Sequence, residues 1–211
     1  KKGIPVICYC HGGSIFSHIR PSFELGNIMY ADYFLTYGPG VKPIEKQTFE
    51  YRTKFVSVGS TRLQEFYRRP KCTQRRNDQN NRSCINILWI AEISTMNTIG
   101  ASFQVEDTSR YRMQKVWLST LLKNIDFQIT YRPMKSTMPY DGTSKWIEGV
   151  NNDRLEVNSD LPLESLIKSC DLAITDTSSG TVWNEVLVAG KPMVLYFDPL
   201  LWPRKLSEKS Q

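Results

Sequence analysis

The sequence predicts an α/β fold built on a Rossmann-like parallel sheet with helices on both faces. From residue 85 to residue 197, short apolar runs rich in β-branched residues alternate with segments that have helical spacing. The run "INILWIAE" is a continuous apolar strand, which is typical of strands buried on both faces of a parallel sheet.

The first part of the chain predicts three strands and a short helix. The strands are "IPVICYC" (4–10), the end of "ADYFLTYG" and "KFVSVGS" (54–60), and the helix is "TRLQEFYRR". We interpret residues 1–60 as the end of a preceding domain and its connection. Residues 61–84 are predicted to form the helix and a basic polar loop, and residues 85–211 a Rossmann-like nucleotide-donor-binding domain.

The second part predicts a repeating order of strand and helix. "INILWIAE", "DFQITYRPM", "RLEVNS", "DLAIT" and "PMVLYF" are predicted strands, and "PLESLIKSC" and residues 179–189 are predicted helices. In the last helix Val182, Trp183, Val186 and Leu187 share one face, and Gly190 suits the left-handed position past its end. A longer helix, "TSRYRMQKVWLSTLLKNI", is predicted to turn the following residues inward: Met113, Val116, Trp117, Thr120, Leu121 and Ile125.

The bulk properties exclude some classes of protein. Five cysteines without a CxxC pair indicate reduced thiols rather than a zinc site. Apolar runs of about 20 residues, which would span a membrane, are lacking. The net charge of +6 is concentrated in residues 67–83, which form either a solvated loop or a contact for an anionic membrane or nucleic acid. The abrupt start in a strand suggests a fragment of a longer chain.

The segment "ITDTSSGTVWNEVLVAGKP" places hydroxyls and a glycine where a strand passes into a helix. The start of a helix offers free N–H groups and a partial positive charge, so it can bind a phosphate. Thr177, Ser178 and Ser179 add hydroxyl donors, Gly180 permits close approach, and Glu185 can accept from a ribose hydroxyl. Simple capping of the helix explains the same residues equally well.

Other candidate residues lie at predicted strand ends. His11, before Gly12 and Gly13, can act as a base or donate to a phosphate. Arg132 can neutralise phosphate charge or form a structural ion pair. Gly12 and Gly13 are expected to line a cleft. Gly59, Ser60 and Arg62 either line it as well or belong to an ordinary turn in which Thr61 caps the helix.

Four segments together resemble a known family. They are "CYCHGGSIFSH", "ADYFLTYGPG", "VSVGSTRLQEF" and "SDLPLESLIKSCDLAITDTSSGTVWNEVLVAGKPMVLYFDP". In this order they are similar to the donor-binding end of GT-B glycosyltransferases, and most similar to bacterial CDP-glycerol glycerophosphotransferase-like and surface-polysaccharide transferases. The resemblance implies the C-terminal half of a GT-B two-domain fold, with the donor phosphates at the hydroxyl pair. It departs at Met134, where such families often carry a histidine after Arg-Pro.

The resemblance implies a cytoplasmic transferase, free or peripheral at the inner face of the membrane. It would move a glycosyl or polyol-phosphate group from a nucleotide-activated donor to a surface polysaccharide or teichoic-acid-like acceptor, which can be lipid-linked. His11 and Arg132 would be catalytic. We expect no metal, since GT-B enzymes generally lack the DxD motif and none occurs here. The donor, CMP- or CDP-linked, would be a substrate, with no cofactor and no nucleic-acid partner. A sugar-nucleotide 2-epimerase and a non-catalytic nucleotide-binding scaffold remain alternatives.

Overall fold

A computed structural model describes residues 3–9, 28, 30–38, 52–68, 84–91, 107–136, 138–176 and 182–196. The chain divides into two compact units, each with a sheet of its own. Every strand pairing among these residues is parallel, as the apolar strands predict.

The sheet of the first unit consists of β1 (Ile7–Tyr9), β2 (Tyr33–Thr36) and β3 (Lys54–Ser57), in that order. Helix α1 (Thr61–Arg68) follows it. Phe34 lies in register with Cys8 and Phe55, so all three share one face, where Phe34 packs with Ile28 in a small core. On the opposite face the side chain of Ile7 is largely exposed.

The sheet of the second unit is made of β4 (Ile85–Ile90), β5 (Phe127–Arg132), β6 (Leu155–Val157), β7 (Leu172–Thr175) and β8 (Met193–Leu195). The connecting helices are α2 (Asp107–Leu121), α3 (Gly142–Val150), α4 (Leu163–Ser169) and α5 (Val182–Val188). The strand order is β6-β5-β4-β7-β8. Starting from β4, the chain adds β5 and β6 on one side and then β7 and β8 on the other, which is the order of a Rossmann-like sheet.

Helices pack on both faces of this sheet. On one face Leu118 of α2 and Ile147 of α3 join Trp89 in a buried core. Leu88, the neighbour of Trp89, points to the other face because side chains alternate along a strand. There α4 contacts β4 and buries Leu166. The predicted fold class, a Rossmann-like parallel sheet covered by helices, is confirmed.

The inward face of α2 was predicted only in part. Leu118 and Gln114 are buried, whereas Val116 is 63% exposed and Trp117 40%. Thr120 is also exposed, and Ile125, which lies beyond the end of the helix, is 78% exposed. The hydrophobic pattern was misleading here because α2 buries a polar side chain, Gln114, at a position that the pattern treats as outward. The core contacts predicted for Met113 and Leu121 are present.

Helix α3 was not predicted from the sequence. Asp141 caps its N-terminus by accepting from the backbone N–H of Ser144 at 2.9 Å, and Asn151 ends it in the left-handed conformation with φ of 47°. Parallel strands need a crossover connection of a dozen or more residues, so β5 and β6 require an element between them.

Helix α5 ends in a Schellman motif, as the glycine predicts. Gly190 has φ of 68°, its N–H donates to Leu187 O, and Lys191 N–H donates to Val186 O. The face predicted for α5 is partly wrong. Val186 is fully buried, but the side chain of Leu187 is 60% exposed.

Candidate functional site

The carboxyl ends of β4 and β7 form the switch point of the second sheet, where the direction of strand addition reverses. Ligands of open parallel sheets bind outside the strand ends at such a point. Ile90 of β4 lies in register with Arg132 on one side and Thr175 on the other. Since neighbouring strands lie about 4.8 Å apart, Arg132 and Thr175 are about 10 Å apart across β4.

The predicted phosphate-binding residues follow β7 directly in the sequence. Thr177, Ser178, Ser179 and Gly180 lie outside the described residues, so their role stays a prediction. The structure does describe Asp176, the residue before them, whose side chain is buried at the end of β7.

A side-chain amide from α2 holds Asp176. Gln114 Nε2 donates to Asp176 Oδ2 at 2.5 Å, and both side chains are buried. A buried carboxylate is costly unless hydrogen bonds replace the water it has lost. The contact with Gln114 therefore stabilises Asp176 in its position at the strand end.

The oxygen of the same amide accepts from two hydroxyls. Thr143 Oγ1 donates to Gln114 Oε1 at 2.5 Å, and the Tyr131 hydroxyl lies 3.2 Å from it. Because these hydroxyls donate to the amide oxygen, the amide nitrogen is directed at Asp176. The Tyr131 hydroxyl also lies 3.4 Å from Asp141 Oδ1. A single buried network thus connects α2, β5, the start of α3 and the end of β7.

Tyr131 remains a hydrogen-bond donor in this network. Burial raises the pKa of its phenol, and the charges of Asp141 and Asp176 raise that pKa further. The phenol is therefore neutral well above the usual titration range of tyrosine. Tyr131 is also the residue immediately before Arg132, so the network fixes β5 next to the candidate phosphate-binding side chain.

Arg132 is half-buried at the end of β5. Its Nη1 donates to the carbonyl of Pro133, and its buried Nε has no hydrogen-bond partner among the described residues. Burial lowers the pKa of the guanidinium, and the charge of Asp160 opposes that effect. Asp160 itself pairs with Lys135 at 3.1 Å rather than with Arg132. The described residues thus leave Arg132 without an ion pair.

Glu185, predicted to accept from a ribose hydroxyl, is the fourth residue of α5 and is only 2% exposed. The predicted contact with ribose remains untested. For such a contact the ligand would have to reach this buried carboxylate.

The lysine of the Gly-Lys-Pro segment has a structural role. Lys191 Nζ donates to the carbonyls of Lys168 at 2.9 Å and Cys170 at 2.6 Å, at the C-terminal end of α4. The last carbonyls of a helix lack intrahelical partners and carry a partial negative charge. Lys191 therefore ties the turn before β8 to the end of α4.

The candidate residues of the first unit are only partly described. His11, Gly12 and Gly13 lie outside the described residues. Gly59 has φ of 79°, a conformation that favours glycine. Ser60 Oγ accepts from the N–H of Leu63 at 3.3 Å and so caps α1. The expected cap at Thr61 was wrong, because Thr61 is already the first helical residue. A role for Gly59 and Ser60 in lining a cleft stays a prediction.

The described ranges contain no group of three or more histidine, cysteine or acidic residues that could hold a metal ion. Nor does this part of the chain include a helix long and apolar enough to cross a membrane. The prediction of metal-independent chemistry remains untested.

Sequence reasoning missed the buried network around Gln114. One signal was available: Arg110, Gln114 and Leu118 recur every four residues, and all three are buried. A second signal was "DGTS", in which Asp141 precedes Ser144 by three residues, the spacing of a helix N-cap.

Comparison with one solved structure, the first of the two below, agrees with the Rossmann-like fold. The MnaA–UDP structure from S. aureus matches with a TM-score of 0.56 and 14% identity, over 92% of this chain and 51% of that one. The chain thus spans about half the length of that protein. The Gap123 glycosylation-associated protein complex from Streptococcus agalactiae matches with a TM-score of 0.46 and 10% identity, over 95% and 39% of the two chains.

Family membership comes from the sequence itself. No curated protein matches it at a significant level. The model of a family described as the LIC12162 family transferase matches residues 1–210, almost the whole chain. The chain therefore belongs to the LIC12162 family of transferases.

Proposed function

We propose that this chain forms the donor-binding part of a transferase of GT-B architecture. It moves a glycosyl or polyol-phosphate group from a nucleotide-activated donor to a bacterial surface polysaccharide or teichoic-acid-like acceptor. Membership of a transferase family supports the reaction class. The observation that carries the proposal is Arg132, a half-buried guanidinium without an ion pair among the described residues, at the carboxyl edge of the sheet beside its switch point.

In this proposal Arg132 binds the donor phosphates. A planar guanidinium can donate to two phosphate oxygens at once, and Nε of Arg132 is a buried donor that lacks a partner in the described structure. Residues 177–180 follow β7 in the sequence, and β7 is separated from β5, the strand of Arg132, by β4. Their hydroxyls and backbone N–H groups would bind the same phosphates.

The proposed chemistry depends on stabilising the leaving nucleotide. When the bond to the transferred group breaks, the departing phosphate oxygen gains negative charge, which Arg132 stabilises from a site partly shielded from water. His11 would take the proton of the acceptor hydroxyl or donate to a phosphate oxygen, since imidazole titrates near neutrality. The positive charge for this step comes from side chains in our proposal, so the transfer is metal-independent.

The proposed donor is CMP- or CDP-linked, and the acceptor is lipid-linked at the inner face of the membrane. The basic residues of the 67–83 segment support this location. Such a cluster is attracted to the anionic lipids of a membrane surface.

Met134 favours a second candidate, a domain that binds nucleotide without catalysing transfer. It stands where the resembling enzymes often carry a histidine, and its side chain is 46% exposed two residues after Arg132. A thioether is only a weak acceptor and can neither donate to a phosphate nor transfer a proton. A binding domain could keep Arg132 and still dispense with that histidine.

Thermal unfolding of the protein with CMP, CDP, UDP and GDP tests donor binding. A ligand present at 100 times its Kd stabilises a protein by about 2.7 kcal/mol. For a chain of this size, that raises Tm by about 5–10 °C. Arg132→Gln should weaken the binding about 10- to 100-fold, the effect of losing a charged hydrogen-bond donor. Arg112→Gln, which alters an exposed arginine on α2, is the matched control.

The outcomes separate the two candidates. Stabilisation by cytidine nucleotides that depends on Arg132, together with transfer or hydrolysis of a cytidine-activated donor, supports the transferase. Binding that depends on Arg132 without any turnover supports the non-catalytic domain. If no nucleotide raises Tm, or if Arg112→Gln weakens binding as much as Arg132→Gln, the donor-binding proposal is wrong.

A further inference from the structure

We infer that Gln114 is a positioning residue, which fixes the end of β7 relative to Arg132 and thereby sets the geometry of the donor phosphate site. This inference rests on the proposed function. It concerns a residue on α2 that we do not expect to touch the donor.

The contacts of Gln114 reach both sides of the switch point. Its Nε2 binds Asp176, the first residue after β7, and its Oε1 accepts from Tyr131, the residue before Arg132. The two strands are not neighbours, since β4 lies between them. One amide therefore spans β4 and links the two strand ends that the proposed function assigns to the donor.

The orientation of this amide is determined by its surroundings. Thr143 Oγ1 donates to Oε1 at 2.5 Å, so an amide turned by 180° would face the hydroxyl with its nitrogen and Asp176 with its oxygen. Two oxygens that both lack a proton repel each other. Burial of Gln114, which is 1% exposed, leaves no water to replace the lost contacts.

A glutamate at this position converts the linkage into a pH-dependent one. In Gln114→Glu, a protonated carboxyl can donate to Asp176 as the amide does. Once that proton is lost, two carboxylates face each other at hydrogen-bond distance, and they separate. The other titratable and charged groups around this position are Tyr131 from β5, Asp141 before α3 and Arg110 one turn earlier on α2.

The test is nucleotide affinity of the whole protein, measured with CDP and UDP at about pH 5.5 and pH 8, on either side of the range in which a paired carboxyl loses its proton. Gln114→Glu should bind within about threefold of the wild type at the lower pH. At the higher pH it should bind about 10- to 100-fold more weakly, the effect of losing one hydrogen bond between a charged group and the ligand. Gln128→Glu makes the same change on the exposed part of β5 and should match the wild type at both pH values.

Circular dichroism and Tm at each pH show whether the variants are folded where the affinity is measured. Gln114→Met, which keeps the volume but cannot hydrogen-bond, should lose affinity at both pH values. If it does not fold, the two measurements on Gln114→Glu decide.

Failure of the inference and failure of the proposed function are distinguishable. If the wild type binds nucleotide and folded Gln114→Glu binds equally well at both pH values, Gln114 is not a positioning residue, and the proposed function stands. If the wild type binds neither CDP nor UDP, the donor-binding proposal fails, and this inference fails with it.

Discussion

Replacing Lys191 by methionine should destabilise the protein without weakening nucleotide binding. The substitution removes two hydrogen bonds from a charged donor, to the carbonyls of Lys168 at 2.9 Å and Cys170 at 2.6 Å. Hydrogen bonds of charged groups contribute about 1.5–3 kcal/mol each. Because Lys191 is half-buried, water can replace part of this hydrogen bonding in the variant. We therefore expect the free energy of unfolding to fall by about 1.5–3 kcal/mol. For a chain of this length Tm should fall by roughly 3–12 °C.

Urea denaturation of Lys191→Met, followed by circular dichroism, measures this loss. Lys135→Met is the control, because its ion pair with Asp160 is exposed, with 74% and 85% of the two side chains accessible, and such pairs contribute at most about 1 kcal/mol. A variant as stable as the wild type would refute the helix-end role of Lys191. Lost affinity for nucleotide at unchanged stability would assign the lysine to the donor instead.

Three further predictions concern the second unit. Because burial and two carboxylates raise the pKa of Tyr131, its stabilising effect is complete below about pH 10 and is lost above that value, as unfolded tyrosine ionises and the folded residue does not. In urea titrations above about pH 10, the free energy of unfolding of the wild type should therefore fall with pH more steeply than that of Tyr131→Phe. The difference should be about 1.4 kcal/mol per pH unit. Asp171→Ala removes an acceptor that Asn86 contacts through its backbone N–H at 2.9 Å and its side chain at 3.0 Å, and should lower the free energy of unfolding by about 1–3 kcal/mol. Leu118→Ala should cost about 2–5 kcal/mol and Val116→Ala less than about 0.5 in the same assay, and the reverse order would contradict the buried face of α2.

The central strand of the second sheet, β4, was predictable because burial on both faces leaves a continuous apolar run. Ile87, Leu88, Trp89 and Ile90 are consecutive and all buried, as a strand between two helical layers requires. Each of these residues packs against a different layer from the next, so none can be polar without a partner. The sequence therefore shows four consecutive apolar residues at these positions.

The helices on one face were less predictable because polar side chains replace part of their apolar surface. Gln114 of α2 and Thr143 of α3 are buried in the network rather than in the apolar core. A hydrophobic pattern treats both as exposed positions. The pattern therefore predicted that α2 buries Val116 and Trp117. It did not predict α3, whose clearest signal in the sequence is the N-cap at Asp141.

The location of the candidate site was predictable from topology, but the contacts of its side chains were not. Parallel strands with helical crossovers predict a binding edge at their carboxyl ends, and Arg132 is the last residue of such a strand. The sequence left open whether Arg132 forms an ion pair or stays available for a ligand. The structure bears on that question through Asp160, which pairs with Lys135, a contact that sequence spacing does not reveal.

The register of β5 determines how the site is built. Consecutive residues of a strand point to opposite faces, so Tyr131 enters the buried network while Arg132 points to the other face. Tyr131 lies opposite Trp89 and Arg132 opposite Ile90. A slip of one residue would place a guanidinium among the buried acceptors around Gln114 and would expose the phenol, reversing both roles. The hydrogen bonds that anchor Tyr131 therefore also specify that the next side chain, Arg132, is available at the edge of the sheet.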